Sequence, residues 1–191
     1  MFKIAVLAST NGTDLQAIIN EMKAGKMPGI ELAKVVSNKR CYALTRAAEQ
    51  GYQTQYIDPS GKSREEFDQE LAKELQGIDL ICLVGYMRIL TPEFIRQFPH
   101  KIINVHPALI PKYCGKEFYG ASVHEAVLKN GEHESGMTIH YVDEGVDTGE
   151  IILQKRCPVL PKDNVESLKQ RVQALEKKWY PEVIRRLSLT D

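Results

Sequence analysis

What this 191-residue chain lacks narrows its chemistry first. There is no excess of charge, since 25 Lys and Arg balance 25 Asp and Glu. Neither a nucleic acid nor an anionic membrane surface therefore meets the clustered cations it would need, and no partner of either kind is expected. Long apolar runs are missing too. The opening stretch holds only residues 4–8 before polar Ser9, too short for a signal peptide or a membrane span, so the expected location is cytoplasmic. The four cysteines, Cys41, Cys82, Cys114 and Cys157, form no C-x-x-C pair. That removes the zinc knuckle and the redox dithiol and leaves free thiols in a reducing compartment. There is no H-E-x-x-H, no G-x-S-x-G and no P-C-x-x-C, so zincin, serine-hydrolase and zinc-deaminase chemistry are set aside and no metal is expected.

What is present is an ordinary globular composition, 43% hydrophobic, in a chain long enough to bury roughly 70% of its unfolded surface. Residues 2–8, 32–37, 53–57, 79–85 and 101–105 read as strands. Between them 14–24, 42–50, 63–75 and 91–98 read as helices, with a Ser63/Glu66 capping box and Pro92 in a first turn. Regular alternation predicts an α/β fold: a mostly parallel twisted sheet with helices on both faces. After Pro107 the rhythm changes to a loop (107–120), a short helix (121–128) and two extended runs (136–142 and 150–159), read as extra strands joined by a connection too long for a tight hairpin. A final helix starts near Asp163, with Val165, Leu168, Val172, Leu175 and Trp179 as its buried stripe and a possible kink at Pro181. With no repeat or linker, 1–191 is read as a single domain, a βαβ half of about 1–100 followed by a second half of about 101–191.

Ligands in open α/β sheets collect at the carboxyl ends of strands, and the polar signals gather there. Residues 9–14 (Ser-Thr-Asn-Gly-Thr-Asp) form a turn opening the first helix, either an anion site of unpaired N–H groups or a capped turn without a ligand. Residues 103–107 (Ile-Asn-Val-His-Pro) end a strand, so Asn104 and His106 project to one face. A carboxamide and an imidazole together suit a carbonyl oxygen that gains negative charge; a strand-end His bonded to a backbone carbonyl is the equal alternative. The loop 143–149 brings three acids, a solvated turn unless one lies beside His106, where it would raise the imidazole pKa. Residues 84–90 place one arginine in an apolar strand end, a clamp for a planar ligand or simply core. Cys114 has no adjacent base and reads as packing.

The segments 85–92 (Gly-Tyr-Met-Arg-Ile-Leu-Thr-Pro), 104–113 (Asn-Val-His-Pro-Ala-Leu-Ile-Pro-Lys-Tyr), 136–142 (Gly-Met-Thr-Ile-His-Tyr-Val) and 147–149 (Asp-Thr-Gly) occur in this order, and with the ending 175–181 they resemble the folate-dependent phosphoribosylglycinamide formyltransferase family along essentially the whole chain. The resemblance implies a Rossmann-like formyltransferase fold whose second half is the folate and catalytic half. It also implies transfer of a formyl group from 10-formyltetrahydrofolate to the amine of glycinamide ribonucleotide, in purine biosynthesis, with no metal. His106 would be the proton donor, Asn104 would hold the formyl oxygen, and Asp147 would raise the histidine pKa. Met87, Arg88, Ile89 and Leu90 with Asp143, Glu144, Gly145, Val146 and Asp147 would surround the folate, beside Asn104, and Arg64 and Arg88 would serve its anionic tail. Gly12, Thr13 and Asp14 would face the ribonucleotide phosphate, and Gln173 and Glu176, sharing a helix face, would approach the acceptor.

Two departures stand out. The family's Gly-x-Gly-Ser/Thr-Asn loop has Thr10 for the first glycine and Asp14 for the asparagine. Asp14 against a phosphate would be repelled by about 4 kcal/mol at contact, so either it turns away to cap the helix or the acceptor differs. The loop 114–120 is longer than in some members. Alternatives with the same folate are another amine, or water as in deformylases. From another class comes a silent folate- or nucleotide-binding module, against which Asn104, His106 and Asp147 weigh. Length leaves no room for the extra domains of the hydrolase or methionyl-tRNA relatives. A monomer or homodimer is expected.

Overall fold

The computed structural model describes residues 1–189. Its elements run β1 (Phe2–Ala8), α1 (Thr13–Lys23), β2 (Ile30–Ser37), α2 (Tyr42–Ala48), β3 (Thr54–Tyr56), α3 (Arg64–Glu74), β4 (Leu80–Val84), α4 (Pro92–Gln97), β5 (Ile102–His106), α5 (Ala121–Lys129), β6 (Glu134–Tyr141), β7 (Ile151–Pro158) and α6 (Val165–Leu187). Every expected strand and helix forms, with ends displaced by one or two residues. The seven strands make one sheet in the order β3-β2-β1-β4-β5-β6-β7. The first five are parallel, and β6 and β7 add on antiparallel.

Alternation along β1 builds both cores at once. Ile4, Val6 and Ala8 pack into a layer with Leu15 and Ile18 of α1 and Val172 and Tyr180 of α6. Ala5 and Leu7 point the other way, into a layer with Phe67 and Leu71 of α3 and Phe94 of α4. A strand buried on both faces is apolar throughout, which is why β1 reads as a continuous run and not as an alternating one. The chain order reverses between β1 and β4, and the polar ends of β1, β4 and β5 open at that point.

The two capping signals are realised. Ser63 Oγ accepts from Glu66 N while Glu66 accepts from Ser63 N, and Thr91 Oγ1 accepts from Phe94 N. The last helix departs from expectation. It runs unbroken through Pro181, and its fully buried line is Leu168, Val172, Glu176 and Tyr180, whereas Leu175 and Trp179 are half-buried. The rotation has a cause: the Tyr180 hydroxyl lies 3.0 Å from Leu83 O and 3.1 Å from Ile103 O, on the strands β4 and β5. A buried hydroxyl needs such a partner. Trp179 is left to cover the stem of Lys155, whose ammonium sits 4.0 Å from the ring centroid.

The β6–β7 connection closes through Gly149, where a Cβ would overlap the Tyr141 carbonyl oxygen. We expect Gly149→Ala to cost about 3 kcal/mol of stability through this backbone clash, read as a lower urea midpoint at unchanged slope. A midpoint equal to wild type would show that the connection yields.

Candidate active site

The polar ends of β5 and β6 and the loop 142–150 converge on a cleft of about 270 Å³. Asn104 and His106 share one strand face and both line it, while Val105 packs into the core behind. Register brings a third polar residue: Asn104 lies opposite His140 on β6, and His106 opposite Thr138. His140 Nδ1 is 2.8 Å from Tyr141 O; a carbonyl only accepts, so this nitrogen carries the hydrogen. In the neutral ring Nε2 is then an acceptor, and it lies 3.3 Å from Asn104 Nδ2. One amide hydrogen is thereby fixed and the carboxamide oriented, with its second N–H left for a ligand. His140 carries no metal-ligand spacing and was not expected at the site; the antiparallel pairing of two alternating strands is the signal that places it.

His106 is 5% exposed, with Nε2 2.7 Å from Tyr113 O and Nδ1 3.6 Å from Asp147 Oδ2. Asp147 Oδ1 is 3.6 Å from His140 Nε2, and Oδ2 accepts from Gly115 N at 2.9 Å. The acid reaches between both imidazoles from a backbone with φ of 58°, a conformation Asp tolerates better than most side chains. Burial opposes the Asp147 charge but does not prevail, because the neighbouring His140 and His106 imidazoles and the Gly115 N–H hold the carboxyl below its ordinary range. Asp147 pulls the His106 pKa up, but the net shift is downward. Desolvation outweighs the pull of Asp147 and Tyr113 O, with His140 adding to the depression, and the imidazole pKa lies below its usual 6.5.

Met87, Arg88, Ile89 and Leu90 form one wall of this cleft, and Asp143, Gly145, Val146 and Asp147 another. Two residues expected here do not line it. Arg64 sits behind the wall, its Nη2 donating to Ile89 O at 3.0 Å. Glu144 turns outward to Arg96 at 2.9 Å. Arg88 stacks its guanidinium 4.1 Å from the centroid of the Phe67 ring. The long loop also has a place: Gly115, Lys116, Phe118, Tyr119 and Gly120 supply a third wall. The Cys114 thiol donates to Pro111 O at 3.2 Å, and burial pushes its pKa up, as befits a packing residue.

A second cleft, about 310 Å³, abuts the first, and Pro107 and Gly120 line both. It is walled by the opening of α1 (Gly12, Thr13, Asp14) and by Gln173 and Glu176 of α6. Gly12 is the N-cap of α1 at φ of 67°, and a Cβ there would sit 2.8 Å from that of Ala43, so only glycine fits. The left-handed backbone falls on Gly12 and Gly85, not on Thr10. Thr10 Oγ1 occupies the space that a Cβ on Gly85 would need, 2.5 Å away. Asp14 does not cap the helix, which has no side-chain cap. It is buried, with Oδ1 unpartnered, and Glu176, expected at the border of a cleft, is buried beside it at 6% exposure. His124 lines this cleft too, its Nδ1 unpartnered.

Among the described residues no group of three or more His, Cys, Asp and Glu could hold a metal ion, and no helix is long and apolar enough to cross a membrane. A family model described as formyl transferase matches residues 2–184. The chain is 40% identical to phosphoribosylglycinamide formyltransferase of Haemophilus influenzae, over 100% of this chain and 92% of that one. It is also 40% identical to a trifunctional purine biosynthetic protein of Drosophila melanogaster, of which it spans 14% of the length. The crystal structure of glycinamide ribonucleotide transformylase 1 from Symbiobacterium toebii superposes with a TM-score of 0.90 at 42% identity, covering 97% of this chain and 86% of that one. The chain belongs to the formyl transferase family, and its full-length likeness is to that family's phosphoribosylglycinamide formyltransferases.

Proposed function

We propose that residues 1–191 act as one formyltransferase domain that moves the formyl group of 10-formyltetrahydrofolate to the amine of glycinamide ribonucleotide. The observation that carries this reading is the meeting of Asn104, His106 and Asp147 where two clefts share Pro107 and Gly120. A donor and an acceptor, one in each, would touch only there. The cleft beside Met87–Leu90 fits a flat heteroaromatic donor, since it combines apolar side chains with a few polar ones, Asn104 and Asp147 among them. The second cleft, with the N–H groups of α1 at its wall, fits the phosphate-bearing acceptor.

In the reaction the amine lone pair forms a bond to the formyl carbon, and the carbonyl electrons move onto oxygen. The second N–H of Asn104 donates to that oxyanion. His106 donates its hydrogen as well, exchanging Tyr113 O for the substrate oxygen. Collapse restores the carbonyl and breaks the bond from carbon to the folate nitrogen, which takes a proton as the amine nitrogen loses one. His106 is held neutral at rest by burial. Negative charge arising beside it makes its protonated form more favourable at the moment that form is useful. Asp147 stands ready to balance the imidazolium.

The test is to incubate the protein with 10-formyltetrahydrofolate, with and without glycinamide ribonucleotide, and follow loss of the formyl group. Loss that requires the acceptor is expected. Loss without it would make the protein a hydrolase, and binding without turnover would make it a silent module.

A further inference from the structure

His106 rests against the carbonyl of a residue in an uncommon conformation. A carbonyl only accepts, so the 2.7 Å contact with Tyr113 O puts a hydrogen on His106 Nε2. In the neutral ring Nδ1 is then bare, and it faces Asp147 Oδ2 at 3.6 Å, acceptor against acceptor. The opposite tautomer would let Nδ1–H donate toward that carboxylate, a charge-assisted bond and intrinsically stronger than one to a carbonyl. It would also strip Nε2 of the hydrogen that the formyl oxygen needs. Asp147 by itself thus favours the unproductive ring, and Tyr113 O, closer by position, opposes it.

What holds that carbonyl is the other end of its own residue. Tyr113 has φ of 54°, a left-handed backbone that a bulky side chain keeps only where its surroundings enforce it. The chain on either side is tied to β6, β7 and the loop 142–150: Thr138 Oγ1 donates to Ala108 O at 2.7 Å, Gln154 Nε2 to Ile110 O at 2.8 Å, and Gly115 N to Asp147 Oδ2 at 2.9 Å. Between Ile110 and Gly115 the ties converge on Glu132. The Tyr113 hydroxyl donates to Glu132 Oε1 at 2.9 Å and accepts from Asn130 Nδ2 at 3.0 Å, on the turn that follows α5. Lys112 Nζ donates to the same Glu132 oxygen at 2.9 Å. Close packing alone does not fix the segment, for a cavity of about 240 Å³ lies beside it, with Pro111, Lys112, Tyr113 and Glu132 in its wall. Phe118 meets the Tyr113 ring edge-on at 5.8 Å between centroids, but it rides on the same loop.

We propose that Tyr113 is a positioning residue that selects the reactive tautomer of His106: its phenol, tied to Glu132, holds its carbonyl against Nε2, so the hydrogen rests on the nitrogen that the formyl oxygen will meet. The catalytic value of this selection rests on the function given above; the tautomer itself is a property of the free protein.

The test uses protein labelled with nitrogen-15 at histidine, because a bare and a protonated ring nitrogen give separate signals. The His106 pair is identified as the one lost in His106→Ala, and spectra are taken at pH 8, where burial keeps this ring neutral. In wild type the hydrogen is expected on Nε2. Tyr113→Phe keeps the ring and removes only the hydroxyl; both His106 nitrogens should move toward the Nδ1–H form. With them kcat should fall about tenfold, the scale of losing one hydrogen bond to a charged group, while the KM of the formyl folate is little changed. Glu132→Ala should act likewise, and Glu132→Gln, which keeps an acceptor for the phenol, should restore most of the wild-type signal and rate. A merely structural phenol would lower the urea midpoint of Tyr113→Phe and leave the ring nitrogens where they were. That result would overturn the proposal, as would a wild-type His106 with its hydrogen on Nδ1, or shifted nitrogens with kcat at or above wild type. Shifted nitrogens in a protein that formylates no glycinamide ribonucleotide would strike the function and leave tautomer selection standing. Unmoved nitrogens in one that does would do the reverse.

Discussion

His106→Ala is expected to lower kcat by about 10²–10³-fold or more, the scale of losing one preorganised donor to a developing oxyanion, while affinity for the formyl folate stays within a few-fold. The split follows from geometry. His106 is one residue of the donor cleft, most of whose wall is Met87–Leu90, the loop 142–150 and residues 115–120. The imidazole also fills space under Tyr113, so some stability is lost, but a strand-end truncation bordered by a loop leaves the two cores untouched. Single-turnover rates at saturating substrates, with equilibrium binding of the folate alongside, separate the two effects. A kcat within fivefold of wild type would remove His106 from the chemistry.

Asp147→Asn is expected to cut kcat about 10²-fold and to shift the pH profile as well. Asparagine accepts the φ of 58° at this position, so the loop keeps its path and the change is one of charge. Asp147 is a contributor that raises the His106 pKa against burial. With the charge gone, the imidazolium is less favourable and the pKa falls further. The limb of kcat/KM belonging to His106 must then move to lower pH, since the protonated form is lost earlier as pH rises. A limb that stays in place, or moves up, would mean that Asp147 acts through the loop and not through the ring.

Much of this arrangement is legible in the sequence, for reasons that can be stated residue by residue. The sharing of one face by Asn104 and His106 follows from the period of a strand, and needs only that 102–106 be one. That the sheet is largely parallel, with polar residues gathered at the carboxyl ends of its strands, follows from the alternation of elements; the strand order does not. Asp147 is another matter: an acid in a loop of three acids has no periodicity to aim it, and only the family likeness singles it out. His140 was legible in principle, because an antiparallel partner with the same alternation must set its own polar residue opposite Asn104, but that inference requires knowing which two strands pair. The phase of α6 was not legible. Apolar steps of three and four fit a stripe through Leu175 and Trp179 as well as one through Glu176 and Tyr180, and the choice is made by carbonyls on β4 and β5, about 80 to 100 residues earlier in the chain. The same limit hid the burial of Asp14 and Glu176, the outward turn of Glu144 and the net depression of His106. Each depends on how much water remains at a site, which no local pattern encodes.

The two hydrogen bonds of the Tyr180 hydroxyl carry a consequence for how the halves of the molecule keep time. They pin the long C-terminal helix to the strands β4 and β5, one turn away from Glu176 in the wall of the second cleft. Sliding that helix along the sheet would strip a buried phenol of both its acceptors, so the spacing between what gives and what receives is set by the framework, like the fixed jaw of a caliper. Adjustment to a ligand is left to the loops, and the gap across which a single carbon passes is a constant of the architecture.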